Sequence, residues 1–395
     1  MTDLRAEAAA VVNCRFCKIF LMMILFFTCS VLAYSQDVPE NELDARINGY
    51  FDNFGVTVIY PEITFNKKLG NNTGITARYL SDIITAASMK ANFQVDGITS
   101  ATPKKTGGGD NTPDEWRHEI GLGLNQKVAD GLFSLTGNYS IEHDYSSKTI
   151  VGSITYPFAK KNTILQFSFL RSLDKVFPQI WTWTKDRNTS TISSELTQIL
   201  SKNIITQIDA SYSDVRGYML DGYQVVRIIL NENSFQTLEP VEPDSRIRKA
   251  VGIRTNIGLT KKVSLQLGYK YYWDTWDVKS HTISAKLSKI FSTTFSSSLE
   301  LRHYMQTRAF FFKPVYSQVE QYMTVEGQLN SGYSDELVFN FVLRGNKNSG
   351  FLTNDKLSLT GSLGVYRRYT DSPDWFSDLQ TLYATLLSIG IRYNF

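Results

Sequence analysis

From about residue 43 onward the chain alternates apolar and polar side chains with a period of two, in runs that exceed ten residues. Val263, Leu265, Leu267, Tyr269, Tyr271 and Trp273 share one parity, and Ser264, Gln266, Gly268, Lys270, Tyr272 and Asp274 share the other. Successive side chains of a strand point to opposite faces, so each such run is a strand with two chemically different sides. The final run repeats the pattern, with Tyr383, Thr385, Leu387, Ile389, Ile391, Tyr393 and Phe395 against Ala384, Leu386, Ser388, Gly390, Arg392 and Asn394. Outside one N-terminal segment no apolar stretch approaches the ~20 residues of a membrane helix, which excludes a polytopic helical membrane protein.

A soluble sandwich also alternates, but its strands average ~5–6 residues. The polar faces here carry charges of both signs in mid-strand: Arg78, Asp82, Arg117, Glu119, Glu142, Asp209, Arg254, Lys270, Glu300, Arg302, Arg344 and Arg368. A wet barrel lumen accommodates such charges, and these are the candidate lumen residues, with Arg117–Glu119 and Glu300–Arg302 expected as pairs. The terminal Phe395, on the same face as Tyr393, resembles the C-terminal assembly signal of bacterial outer-membrane barrels. That resemblance implies the barrel assembly machinery and outer-membrane lipid as partners. The fold class is therefore all-β: a transmembrane antiparallel up-and-down barrel in the bacterial outer membrane.

The pattern gives about sixteen strands, with fourteen as the alternative because the first pair and the 189–200 strand are weakest. Short connections such as Leu69–Asn72, Ala129–Gly131 and Lys261–Lys262 alternate with the longer segments 85–115, 173–188, 216–247, 307–334 and 370–381. Barrels of this kind place short turns in the periplasm and long loops outside. Both chain ends are then expected on the periplasmic side.

The segment 1–35 reads as a secretory signal, with basic Arg15 and Lys18, an apolar stretch from Ile19 to Ala33, and small residues before cleavage after Ser35. An uncleaved membrane anchor is the competing reading. Residues 36–395 form the expected barrel. All three cysteines, Cys14, Cys17 and Cys29, fall inside the signal, so neither disulfides nor thiolate metal sites are expected in the mature chain. The formal charge is only +3, with no extended Lys/Arg run, so nucleic acid is not an expected partner.

Polar-aromatic clusters gather at the long-loop end of the strands: Asp82–Ser88 echoed by Asp96–Thr102, Glu142-His143-Asp144-Tyr145, Gly217-Tyr218, Trp273-Asp274 through Asp277 to His281, and Arg302–Gln306. They are readable as an aromatic girdle or as an extracellular vestibule. The candidate vestibule residues are Asp82, Asp96, Asp144, Tyr145, Tyr218, Asp274, Asp277, His281 and Gln306. Together with Glu115-Trp-Arg117-His-Glu119, Asp244-Ser-Arg246-Ile-Arg248 and Tyr304-x-Gln306-x-x-Ala309-Phe310-Phe311, these clusters resemble an uncharacterised bacterial family. That family carries a domain-of-unknown-function label and is regarded as an outer-membrane β-barrel. The chain departs from the family pattern at Asp221-Gly222-Tyr223, where a proline is expected before the tyrosine. The resemblance implies no catalytic residues. It does imply a neighbourhood of thioredoxin-like proteins, a small lipoprotein and a flavin transferase, and hence a periplasmic redox or flavin-linked partner.

An enzyme is not expected. His281 has Ser280 and Asp277 close in sequence, yet a catalytic set is defined by geometry, and His281 shares a parity with Ile283, Ala285 and Leu287. No histidine pair has the spacing of a zinc site, and Lys104–Asp110 lacks the order of a phosphate loop. No cofactor is expected. The functional expectations are a channel or transporter for small polar or charged solutes, a non-conducting scaffold, and last an outer-membrane enzyme.

Overall fold

The computed structural model describes residues 38–86, 115–178, 182–220, 225–232, 234–347, 352–370 and 381–395. The expected signal segment and Asp96 lie outside the described residues, as do Asp221–Tyr223 and the side chain of Asp82.

The strands in chain order are β1 (Glu42–Asp52), β2 (Val56–Lys68), β3 (Thr73–Ala86), β4 (Glu115–Val128), β5 (Gly131–Ile141), β6 (Tyr145–Phe158), β7 (Thr163–Val176), β8 (Lys185–Ser201), β9 (Ile204–Gly217), β10 (Val226–Asn231), β11 (Ser234–Leu238), β12 (Ser245–Gly258), β13 (Val263–Asp274), β14 (Lys279–Ile290), β15 (Phe295–Gln306), β16 (Gly332–Arg344), β17 (Leu357–Thr370) and β18 (Thr381–Asn394). Among the described residues, all but β10 and β11 form one closed barrel of sixteen antiparallel strands, each beside its neighbours in sequence. Closure is made by β1 and β18, paired from Glu42↔Asn394 to Asp52↔Ala384. The weak first pair and the 189–200 segment are thus full members of the wall, and the fourteen-strand alternative falls.

The alternation of the sequence becomes an inside and an outside. Ile47, Ile63, Ile120, Leu122, Ile150, Ile192, Leu301, Ile389 and Ile391 stand exposed on the outer wall. That surface is an apolar band meant for lipid rather than water. The strands run to 17 residues in β8, beyond the ~9–11 needed to cross the hydrocarbon core, so their ends project past the membrane.

The β7–β8 loop is shorter than the sequence implied, because both strands extend toward it and leave only 177–184 between them. The segment 216–247 is not simply a loop, since it contains the β10–β11 hairpin. That hairpin belongs to a roof over the extracellular mouth, built with residues 307–331. Ile229 N donates to Tyr316 O at 2.8 Å, and Val241 and Met323 exchange two backbone bonds at 2.9 and 2.8 Å. Val226, Ile228, Tyr316, Met323 and Val325 form a buried cluster inside the roof. A second cluster joins the roof to the wall through Trp276, Val278, Ala309, Phe311, Phe312 and Leu329.

Candidate functional site

The inner wall has two unlike halves. Along β2–β5 the charges are chained together: Arg78 bonds Glu62 and Glu119, both at 2.7 Å, and Arg117 reaches Glu119 at 3.1 Å and Glu142 at 3.5 Å. Nearer the chain ends, Asp44 binds Arg46 at 2.8 Å and Arg392 at 3.0 Å. Each carboxylate sits beside a guanidinium on its own or a neighbouring strand, the spacing at which cross-strand charge pairs form.

The facing half, β12–β15, is more open. Its inward row includes Gly252, Gly268, Ser264, Ser284, Ser288, Ser296 and Ser298, which project little. Lys270 and Arg254 point inward yet are solvent-exposed, so the space they enter is wet. Arg254 donates to Gln207 at 2.8 Å, and among the described residues Lys270 has no ion pair. Arg344 approaches Ser296 at 3.5 Å; Arg368 is inward on β17. The expected Glu300–Arg302 pair is absent. Lys286 stands directly opposite Glu300 in the ladder and Glu336 opposite Arg302; they take those charges at 3.3 and 2.7 Å. Arg117–Glu119 does form as expected.

Beneath the roof, on the side of β6–β9 and β12, lies a cavity of about 410 Å³. Its wall carries Arg187, Arg246 and Arg248, and its ceiling Met219, Trp276 and Leu329. Arg187 bonds Asp174 at 3.1 Å and the Tyr145 hydroxyl at 2.9 Å. Asp174 is held in turn by the hydroxyls of Ser147 and Ser172, at 2.8 and 2.6 Å. Arg246 gives Nε and Nη2 to Asp274 Oδ2 at 2.8 and 2.5 Å, and its guanidinium lies 4.3 Å from the Trp276 ring centre. Asp274 also accepts the Tyr272 hydroxyl at 2.6 Å, while its Oδ1 accepts Trp276 N at 2.9 Å and Val278 N at 3.1 Å. One carboxylate therefore organises the tip of β13 and the ceiling together. A cluster of arginines beneath a ceiling that mixes apolar side chains with Glu242 and Glu326 can bind and orient a small anion where a guanidinium is left without a carboxylate.

A sequence-family profile described as "Protein of unknown function (DUF3570)" matches residues 30–181 and 171–334. The chain belongs to the DUF3570 family. None of the curated proteins matches this DUF3570 chain. Among solved structures, a "Bacterial polysaccharide outer membrane secretin" is similar at 8% identity and TM-score 0.50, over 90% of this chain and 99% of that one. A BenF-like porin from Pseudomonas fluorescens Pf-5 is similar at 10% identity and TM-score 0.45, over 90% and 98%. The siderophore receptor PirA from Pseudomonas aeruginosa is similar at 9% identity and TM-score 0.41, over 91% and 81%. The DUF3570 chain is an integral β-barrel of the bacterial outer membrane.

The vestibule candidates of this DUF3570 barrel divide. Asp274 and Tyr145 hold the cavity arginines Arg246 and Arg187. Gln306 ties the roof down, its Nε2 donating to Gln328 O at 2.7 Å and Asn330 O at 2.5 Å. Asp144 is buried at the β5–β6 turn. Tyr218 packs on Trp183 at 5.0 Å, with Lys185 over its ring. Asp277 is exposed and makes the β13–β14 turn with φ of 63°, a left-handed conformation that Asp tolerates better than most residues. His281 is misplaced as a vestibule residue. Its odd position on β14 points outward, where Nδ1 meets the Tyr269 hydroxyl at 2.8 Å and the ring lies 5.1 Å from Tyr271. It belongs to the aromatic belt. Arg187, Arg246, Arg248 and Asp174 were not picked out as lumen charges. Parity alone places Arg246 and Arg248 on the face of Arg254.

At the chain end, Phe395 stacks on Phe65 at 5.8 Å and on Tyr393 at 6.2 Å, with the Lys67 ammonium 4.8 Å from its ring centre. The two candidate assembly residues thus share one outward aromatic patch at the seam.

Proposed function

We propose that this barrel is a channel or transporter for small polar or charged solutes. The observation that carries the reading is the exposure of inward-facing Arg254 and Lys270 on a wall whose inward row includes several Gly and Ser residues. Barrels of 16–18 strands are too wide for side chains to fill and characteristically hold an aqueous channel. The arginine-lined cavity beneath the roof supplies an entry chamber in which a charged solute sheds part of its water. The test is single-channel recording in planar bilayers with protein purified from outer membranes. Reproducible steps whose ion selectivity changes in Arg302→Ala support the reading; a folded barrel that never conducts ends it.

A second reading, a scaffold for a periplasmic lipoprotein or thioredoxin-like partner, draws on the Glu62–Arg78–Glu119–Arg117–Glu142 chain. Such cross-linking stiffens one half of the wall beyond what passage of solute requires. The same recording separates the two, because a scaffold gives no steps.

A further inference from the structure

Among the described residues, Arg248 is the arginine of the cavity that no carboxylate claims. Its nearest candidate is Asp274, directly opposite it in the β12–β13 ladder. That carboxylate is saturated: Oδ2 serves Arg246 and Tyr272, and Oδ1 serves the backbone of Trp276 and Val278. On its other side the ladder places Ser213, which is neutral. Asp174 is taken by Arg187. The two acids of the ceiling are held within it, Glu242 accepting the Thr324 hydroxyl at 2.9 Å and Glu326 accepting Gln328 N at 3.1 Å. The Arg248 side chain is exposed to the cavity and shares its wall with two other guanidiniums.

A guanidinium that faces a cavity without a carboxylate of its own is available to an incoming anion, whereas its paired neighbours Arg187 and Arg246 are not. We infer that Arg248 is the anchor of a binding site for small organic monocarboxylates, seated in the roofed cavity with the apolar part of the solute against Met219, Leu220 and Leu329. The planar guanidinium fork matches a carboxylate through two parallel hydrogen bonds. A dianion such as phosphate is the poorer match, because the other two guanidiniums already carry their own carboxylates. A volume of about 410 Å³ falls within the range of small-molecule sites and takes a solute of six to ten heavy atoms. The site deepens the channel reading by naming a solute class, and rests on that reading only for the claim that the solute moves on.

Binding is therefore measured apart from conduction, by saturation-transfer NMR and equilibrium dialysis on the full-length barrel in detergent. The probes are hexanoate, its neutral isostere hexanamide, and inorganic phosphate. Hexanoate is expected to bind the native barrel at least tenfold more tightly than hexanamide or phosphate. Arg248→Gln is expected to lose that preference, and Arg248→Lys to keep only part of it, with the heat-modifiable gel shift of a folded barrel retained in both. Equal binding of hexanoate and hexanamide to the native protein overturns the inference without needing any variant. Unchanged hexanoate binding in a folded Arg248→Gln overturns the anchor, and preferential phosphate binding overturns the carboxylate assignment. A barrel that binds hexanoate but never conducts leaves the site standing and removes the channel.

Discussion

The Asp209 carboxylate lies over Gly252: a Cβ added to that glycine would stand 2.6 Å from Asp209 Oδ1. Gly252 is flanked in the ladder by Asp209 on β9 and by Lys270 on β13. The bare glycine leaves the room in which the carboxylate lies over β12. Gly252→Ala should swing the carboxylate away while leaving the wall intact, since only a flexible side chain has to move. The expected result is a shift in ion selectivity with a stability change within about 0.5 kcal/mol. Reversal potentials under a salt gradient and urea unfolding in micelles measure the two; unaltered selectivity would separate Asp209 from the solute path.

Arg302 and Glu336 form a 2.7 Å ion pair with Arg302 well exposed to the lumen. Exposed pairs contribute little to stability, about 0–1 kcal/mol, so Arg302→Ala should fold normally and register in conductance. Glu300→Ala should do likewise by releasing Lys286. Unchanged conductance and selectivity in both variants would place these charges off the pathway.

Deleting Phe395 removes the end of the outward patch formed with Phe65 and Tyr393. Outer-membrane levels of the truncated chain should fall at least several-fold, read by fractionation and heat-modifiability. Native levels would show that the terminal aromatic is no assembly signal here.

Tyr316 is fully buried in the roof, its single hydroxyl proton shared between Phe311 O at 2.9 Å and Thr324 O at 3.1 Å while its oxygen accepts from Thr324 N at 2.9 Å and Lys313 N at 3.2 Å. Tyr316→Phe leaves these groups unmatched and should loosen the roof by about 1–3 kcal/mol. Faster proteolysis of residues 307–331 on intact cells is the readout, and an unchanged cleavage rate would contradict it.

Burial pushes the Tyr316 phenol above its ordinary range. Its folded form therefore holds the proton more tightly than the unfolded form, so the stability it contributes is full below pH ~10 and declines as pH rises beyond that value. Native roof protection from protease should weaken above pH 10 and be restored on return to neutrality. Protection that stays constant to pH 12 would mean the phenol does not report on roof packing.

Much of the wall was legible in the residues. Period-two parity located all sixteen wall strands within a few residues, because lipid on one side and water on the other impose opposite chemistry on adjacent positions. Parity also placed Arg78, Arg117, Glu119 and Arg302 inward. It failed where no lipid enforces it. The β10–β11 hairpin packs against residues 307–331, so Ile228 and Tyr316 are buried by a contact made far along the chain. The pairing of Glu300 with Lys286 rather than Arg302 depends on strand register, which a one-strand pattern does not contain. His281 shows the cost of reading a cluster as a unit: Asp274 and His281 are close in sequence, but their opposite parities send one into the cavity and the other into the belt.

The roof also fixes an order of events in time. Its two halves, around 226–241 and 307–331, are separated in the chain by the four wall strands β12–β15. The contact between them closes a long loop and is therefore expected to form late, the entrance taking its final shape after the wall beneath it.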